Sequence, residues 1–175
     1  IAGSDLEIIG SEWFGGDATY ENVDMLMAKE SVQAADMIFG VGGGRAADCC
    51  KVLADKMGKP LFNFPTLASN CASSTALCVM YKTDGSMAGY YYRERCCEHI
   101  FINTKIIAES AEKLFWAGIG DAMSKEFEVK LATRNVDLFH TPLMGQAVAC
   151  ACANPLLQYG KQALEDCRNN RESNA

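Results

Sequence analysis

The sequence predicts an α/β fold that gives way to an all-helical segment, and three observations carry that reading. Short apolar runs alternate with segments of helical periodicity through the first part of the chain. The run "DMIFGV" (36–41) is continuously apolar, as the strands of a parallel sheet tend to be. Beyond Lys105 every apolar repeat has helical spacing. We therefore divide the chain into residues 1–104, an incomplete α/β domain, and residues 105–175, the first helices of an all-helical one.

Each element has its own signal. "LEIIG" (6–10) reads as a short strand with almost nothing before it. "TYENVDMLMAKESVQA" (19–34) places Val23, Leu26, Met27 and Glu30 at helical spacing behind Thr19, a suitable N-cap. After the strand at 36–41, residues 45–57 form a helix with Ala46, Cys49, Cys50, Leu53 and Ala54 facing inward, and Gly58 stops it. "PLFNFP" (60–65) is the next strand, and this rhythm implies a parallel sheet with right-handed crossovers. "TALCVMYKTDGSMAGYYY" (75–92) reads as a hairpin turning at Asp84-Gly85, and "HIFIN" (99–103) as one more strand. The stretches "TKIIAESAEKLFWAGIGDAMSKEFEVKLATRN" and "PLMGQAVACACANPLLQYGKQALEDC" are helical. Both ends stop in mid-element, so the chain reads as a piece of a longer polypeptide.

Composition narrows the partners. The 175 residues carry a formal net charge of −6 and no basic cluster, which argues against nucleic acid and acidic membrane surfaces. No apolar run is long enough to span a bilayer, and residues 1–20 lack a signal-peptide layout, so a cytoplasmic location is expected. The nine cysteines are odd in number, partly adjacent and never spaced C-x-x-C. They read as small buried hydrophobes of a reducing compartment rather than a disulfide frame or a thiolate zinc site.

The chemistry centres on "GVGGGRAADCCK" (40–51). A glycine-rich turn between a strand end and a helix start leaves amide N–H groups free, and the helix dipole adds positive character there. A phosphate is the natural guest. The match to G-x-G-x-x-G is partial, because Gly40 and Gly42 fit while Arg45 takes the last position and no acidic ribose partner follows. On these residues alone, a phosphate cradle and a plain tight turn both stay open. The polar loop "FPTLASNCASSTAL" (64–77), with Thr66, Ser69, Asn70, Ser73, Ser74 and Thr75, leaves the next strand at the same sheet edge and favours a cofactor.

The segments "FGGDATYENVDML", "GVGGGRAADCCKVLADKMGKPLFNFPTLASNCASSTALCVMYKTDGSM" and "NTKIIAESAEKLFWAGIGDAMSKEFE" resemble the iron-containing (group III) alcohol dehydrogenases, most closely their glycerol dehydrogenase branch. The resemblance implies a Rossmann-like domain that binds NAD or NADP, a helical domain, and a divalent metal, zinc or iron, between them. It implies that Gly42, Gly43, Gly44, Arg45 and Ala46 cradle the pyrophosphate. Thr66, Ser69, Thr75, Leu77 and Tyr81 would contact the cofactor, and Asp121 would be the first metal ligand. The metal would polarise a small alcohol or polyol so that hydride leaves for the nicotinamide.

Departures from the family pattern matter as much. Arg45 replaces a Lys and Thr75 a Ser, and Cys71 stands where the branch carries an Asp that touches the polyol. That last change points from glycerol toward another small alcohol, diol or hydroxy acid. Asp121 on its own terms reads as an exposed or capping residue. His99 and His140 match no ligand position, and the family's two metal histidines are expected beyond Ala175, as its first strand is expected before Ile1. Homo-oligomers are expected too. The alternatives are a non-catalytic NAD-binding or assembly module and a dehydroquinate synthase-like lyase.

Overall fold

The computed structural model describes residues 3–170 of the chain. They form two compact units, the first running to Pro65 and resuming over Ala72–Ile102, the second combining Thr66–Cys71 with the chain from Asn103 onward. The short 66–71 loop, which the sequence places in the α/β part, thus packs with the helices.

In the first unit, helix α1 (Tyr20–Met27) starts on Thr19, whose hydroxyl accepts a hydrogen bond from the Asn22 amide at 3.1 Å. The single helix expected over 19–34 is broken: α2 (Glu30–Ala34) starts anew after Lys29 turns extended. The break is held locally by Gln33 Nε2, which donates to the Met27 carbonyl at 3.0 Å, and from outside by Lys59 Nζ, which donates to the Val32 and Gln33 carbonyls at 2.7 Å. Strand β1 (Ile38–Gly42), helix α3 (Gly44–Met57) and strand β2 (Leu61–Pro65) follow, with Gly58 ending α3 at φ 63°. β1 and β2 pair in parallel from Ile38–Leu61 to Gly42–Pro65, and β5 (His99–Ile100) adds to the outer side of β2.

Burial in this sheet alternates, contrary to the continuous pattern expected. Ile38, Gly40, Leu61 and Asn63 are buried against α3, whereas Phe39, Val41, Phe62 and Phe64 face away and stay partly or largely exposed. Phe64 and Phe101 stack there with centroids 4.7 Å apart, and His99 stacks on Phe62 at 6.0 Å. The expected strand at 99–103 shrinks to two residues, although its ladder extends through Glu98 N–H to Leu61 O and Phe101 N–H to Asn63 O. Residues 6–10 form no strand, since none of the described strands pairs with them, and Leu6, Ile8 and Ile9 are exposed.

The hairpin is as expected. β3 (Leu77–Tyr81) and β4 (Met87–Tyr92) are antiparallel, and the turn uses Gly85 at φ 82°. Helix α3 is buried through every residue from Ala46 to Ala54, not only along the inner stripe. It packs on the sheet, on α1, on β3 and on a 3₁₀ turn at Ala72–Ser74, so none of its faces along that stretch meets water. Ala18, Val23, Leu26, Cys49, Val52, Leu61, Cys78 and Met80 form the centre of this core.

The second unit is helical. α4 (Thr104–Glu109) is capped by the Asn103 side chain, and α5 (Glu112–Ala132) restarts after Ser110, whose hydroxyl donates to the Ile107 carbonyl at 2.6 Å. α6 (His140–Ala151) and α7 (Ala153–Asn170) complete it. Its buried hydrophobic residues are small ones, such as Ala108, Ala153, Ala163 and Cys167, while Trp116, Phe127, Phe139 and Val148 are exposed. No helix among the described residues is long and apolar enough to cross a membrane.

Candidate functional site

The glycine turn is built as its residue types suggest. β1 ends on Gly42 at φ 151°, a backbone conformation that residues with a Cβ rarely adopt. A Cβ there would also stand 2.7 Å from the Ala46 Cβ, so the turn lies flat on the first turn of α3. Gly43 is the N-cap, and no side chain caps the helix. The Gly43 carbonyl takes the Ala47 amide at 3.0 Å, which leaves the amides of Gly44, Arg45 and Ala46 as the first-turn donors without intrahelical partners. Gly40, one pair of residues back, is needed for close packing: a Cβ would meet Asn63 Oδ1 at 2.7 Å and Cys50 Cβ at 3.1 Å. A pyrophosphate fits this arrangement, because a bare backbone, aligned amides and an uncapped dipole end coincide.

Arg45 leaves the same turn. Its Nη1 pairs with Asp17 Oδ2 at 3.3 Å, and its guanidinium lies 5.4 Å from the centre of the Tyr81 ring. Tyr81 is tied to the same neighbourhood, since its N–H donates to the Ala18 carbonyl at 2.8 Å. Arg45 and Tyr81, both cofactor candidates in the sequence, therefore meet in one group with Asp17, which the sequence did not single out.

Beneath them lies a group that the sequence reading missed. Lys51 is fully buried in α3, ion-paired with Asp48 at 2.8 Å. Its three N–H donors share the carbonyls of Ala72 (2.8 Å), Thr75 (3.2 Å) and Leu77 (2.5 Å), the Thr75 hydroxyl at 3.3 Å and the Asp48 carboxylate. Asp48 Oδ2 accepts the Val79 amide at 3.2 Å. Burial raises the Asp48 carboxyl above its ordinary value, outweighing the opposing pull of Lys51 and Val79. The pair fastens α3 to the 72–79 segment, which carries the sequence candidates Thr75 and Leu77. The only sequence signal was an Asp and a Lys one helical turn apart amid Ala and Cys.

The 66–71 loop is seated separately, on α5. The Gly118 backbone sits so close to it that a Cβ would fall 1.6 Å from the Ala68 carbonyl oxygen and 3.1 Å from Ser69 Cα. Thr66 and Ser69 are half-buried, Ser69 Oγ accepts from Asn70 Nδ2 at 3.4 Å, and Cys71 is exposed. Asp121 lies one turn beyond Gly118 on the same helix, so the loop and this carboxylate share one support. Lys125 Nζ holds Asp121 Oδ1 at 3.2 Å and Glu128 at 3.1 Å. Burial pulls the Lys125 ammonium down, but its bonds to Glu128 and Asp121 outweigh that and leave it above its ordinary value.

A metal centre is not assembled from these residues. No group of three or more His, Cys, Asp or Glu side chains comes together among the described residues. Asp121 offers one carboxylate already paired with an ammonium, His99 stacks on Phe62, and His140 begins α6. The residues fit a dinucleotide's phosphates; they do not by themselves fit a catalytic metal, which needs about three protein ligands.

Comparison with known proteins agrees with the fold. The chain is 30% identical over 165 residues to a glycerol dehydrogenase from Thermotoga maritima, covering 90% of this chain and 45% of that protein. It is 34% identical over 157 residues to the hydroxycarboxylate dehydrogenase A of Escherichia coli, covering 89% and 43% respectively. A probable glycerol dehydrogenase from Sinorhizobium meliloti, known as a crystal structure, superposes with a TM-score of 0.78 at 27% identity, covering 90% of this chain and 45% of that one. The chain thus spans less than half the length of these relatives. The sequence profile described as "Iron-containing alcohol dehydrogenase" matches residues 2–104, more than half of the chain, and the chain belongs to that family.

Proposed function

We propose that the protein represented by this chain is an NAD(P)-linked, metal-dependent oxidoreductase acting on the CH–OH group of a small alcohol, polyol or hydroxy acid. In this reading Gly42, Gly43, Gly44, Arg45 and Ala46 hold the pyrophosphate, and Thr66, Ser69, Thr75, Leu77 and Tyr81 supply further cofactor contacts. The observation that carries it is the turn at Gly42, where φ 151° and the 2.7 Å approach to Ala46 exclude any side chain beside an uncapped helix start. The relatives support the reaction class, being named as glycerol and hydroxycarboxylate dehydrogenases.

Cys71 bears on the substrate. A thiol in an exposed loop gives a polyol no charged acceptor, which favours a diol or hydroxy acid over glycerol. The metal, iron or zinc, would take Asp121 as one ligand after Lys125 moves off it, and the remaining ligands would come from outside the described residues. The many cysteines, several of them buried as small hydrophobes, suit a reducing, cytoplasmic setting, and the exposed apolar residues of α5 to α7 suit assembly with further copies.

The test is a steady-state assay of the protein at its natural length with a panel of diols and hydroxy acids, with and without chelator. Turnover with at least one substrate, abolished by chelator and restored by metal, supports the reading. Chelator-insensitive turnover, or none with any alcohol, refutes it. The pairing of Asp121 with Lys125 favours one second reading, a module that binds NAD without catalysis. It predicts saturable NAD binding with no metal uptake and no turnover.

A further inference from the structure

The group around Arg45 contains a carboxylate that the proposed function leaves without a role. Asp17 is fixed in its own loop: its Oδ1 accepts the Ala18 amide at 2.9 Å, and its carbonyl accepts Asn22 Nδ2 at 2.8 Å and the Thr19 amide at 3.1 Å. Its second oxygen, Oδ2, faces Arg45 Nη1 at 3.3 Å. The opposite constraint is the Tyr81 ring, 5.4 Å from the guanidinium carbon. The Tyr81 N–H donates to the carbonyl of Ala18, the residue after Asp17, so both constraints belong to one hydrogen-bonded corner. The Arg45 side chain is 62% exposed, yet it is held from the edge and from the face.

A free arginine on a helix's first turn samples many rotamers, and fixing it on a ligand costs entropy. An arginine already held by a carboxylate and an aromatic face has met that cost during folding. We propose that Asp17 is a positioning residue: with the Tyr81 ring it holds the Arg45 guanidinium ready at the glycine turn, so that the cation meets a dinucleotide's pyrophosphate already oriented. Asp17 touches no cofactor atom in this account; it acts through Arg45. The inference rests on the pyrophosphate reading of the turn.

The experiment is a calorimetric titration of the protein at its natural length with NAD, for wild type, Asp17→Asn, Asp17→Glu, Arg45→Ala and the Asp17→Asn/Arg45→Ala pair. Asparagine keeps an oxygen for the Ala18 amide while removing the charge that faces Arg45, so the loop survives. Melting temperatures check that it does. Arg45→Ala should weaken binding by about tenfold, the worth of a charge-assisted phosphate contact. Asp17→Asn should weaken it by about threefold to fivefold, the range of a partly exposed ion pair. Asp17→Glu should recover part of that loss, and the double variant should bind no worse than Arg45→Ala alone.

Two failures are distinguishable. Wild type that binds NAD, with Asp17→Asn binding equally well or more tightly, overturns the positioning role and leaves the pyrophosphate reading standing. Additive losses in the double variant overturn it too, because Asp17 would then act independently of Arg45. Folded wild type that binds no NAD overturns the reading and this inference together.

Discussion

Replacing Gly118 by alanine tests whether the 66–71 loop is held by backbone contact with α5. The new methyl group would sit 1.6 Å from the Ala68 carbonyl oxygen and 2.7 Å from its carbonyl carbon. Both are backbone atoms, so no flexible side chain can swing away. Loop and helix must part by roughly 2 Å to reach van der Waals separation. Overpacking of this kind costs about 1–3 kcal/mol. Removing a glycine from a helix interior returns about 1 kcal/mol, so the net change in stability is small. The geometry of the loop nevertheless has to change.

Gly120 supplies the control, being on the same helix with nothing within 4 Å of a built Cβ. Gly120→Ala should gain up to about 1 kcal/mol and leave the loop alone. Amide hydrogen exchange across residues 66–71, read with urea melts, is the assay. Gly118→Ala should be less stable than Gly120→Ala by about 1–3 kcal/mol, with faster exchange in the loop and weaker NAD binding. Identical melts and identical loop exchange in the two variants would refute the argument.

Two further outcomes follow from buried groups. Lys51→Met should cost about 3–5 kcal/mol in a urea melt, because Asp48 and three carbonyls lose their buried partner. A loss below 1 kcal/mol, by contrast, is roughly what a surface pair gives. Burial pushes the thiols of Cys49 and Cys50 up to about 12 and that of Cys78 to about 11. At pH 8 iodoacetamide should therefore modify the exposed Cys71 and Cys96 in the folded chain and spare these three, as peptide mass spectrometry would report. The sign for stability follows: the unfolded thiols ionise near their ordinary value of 9.0, before the folded ones, so stability should fall as pH rises from there toward 12. Flat stability across that range would contradict it.

Local features were legible in the sequence and non-local ones were not. The glycine turn could be read because its requirement is local: a bare backbone between a strand and a helix. The hairpin at Asp84-Gly85 and the N-cap at Thr19 were legible for the same reason. The break between α1 and α2 was hidden, since it depends on Lys59 reaching the Val32 and Gln33 carbonyls from some twenty-six residues away. Lys51 and Asp48 passed unnoticed because charged residues on a helix ordinarily lie on its solvated face, and only the surrounding elements bury them. Gly118 stood in plain sight in "GIGD", but the carbonyl that demands it lies some fifty residues earlier. Strand burial was misread because periodicity cannot say how many faces of a sheet are covered. Asp121 had no intrinsic signal beyond its place on a helix; the family resemblance alone singled it out.

Titrating the protein at its natural length with NAD, as wild type and as Gly42→Ala, asks whether the turn at Gly42 is a pyrophosphate cradle. Circular dichroism establishes that both are folded, since the strained φ costs alanine about 1–3 kcal/mol. Wild type should bind NAD saturably, and Gly42→Ala should lose about tenfold or more in affinity, because its methyl group occupies the approach to the first-turn amides. A folded Gly42→Ala protein that binds NAD as wild type does, or a folded wild type that binds none, would show that the turn holds no pyrophosphate.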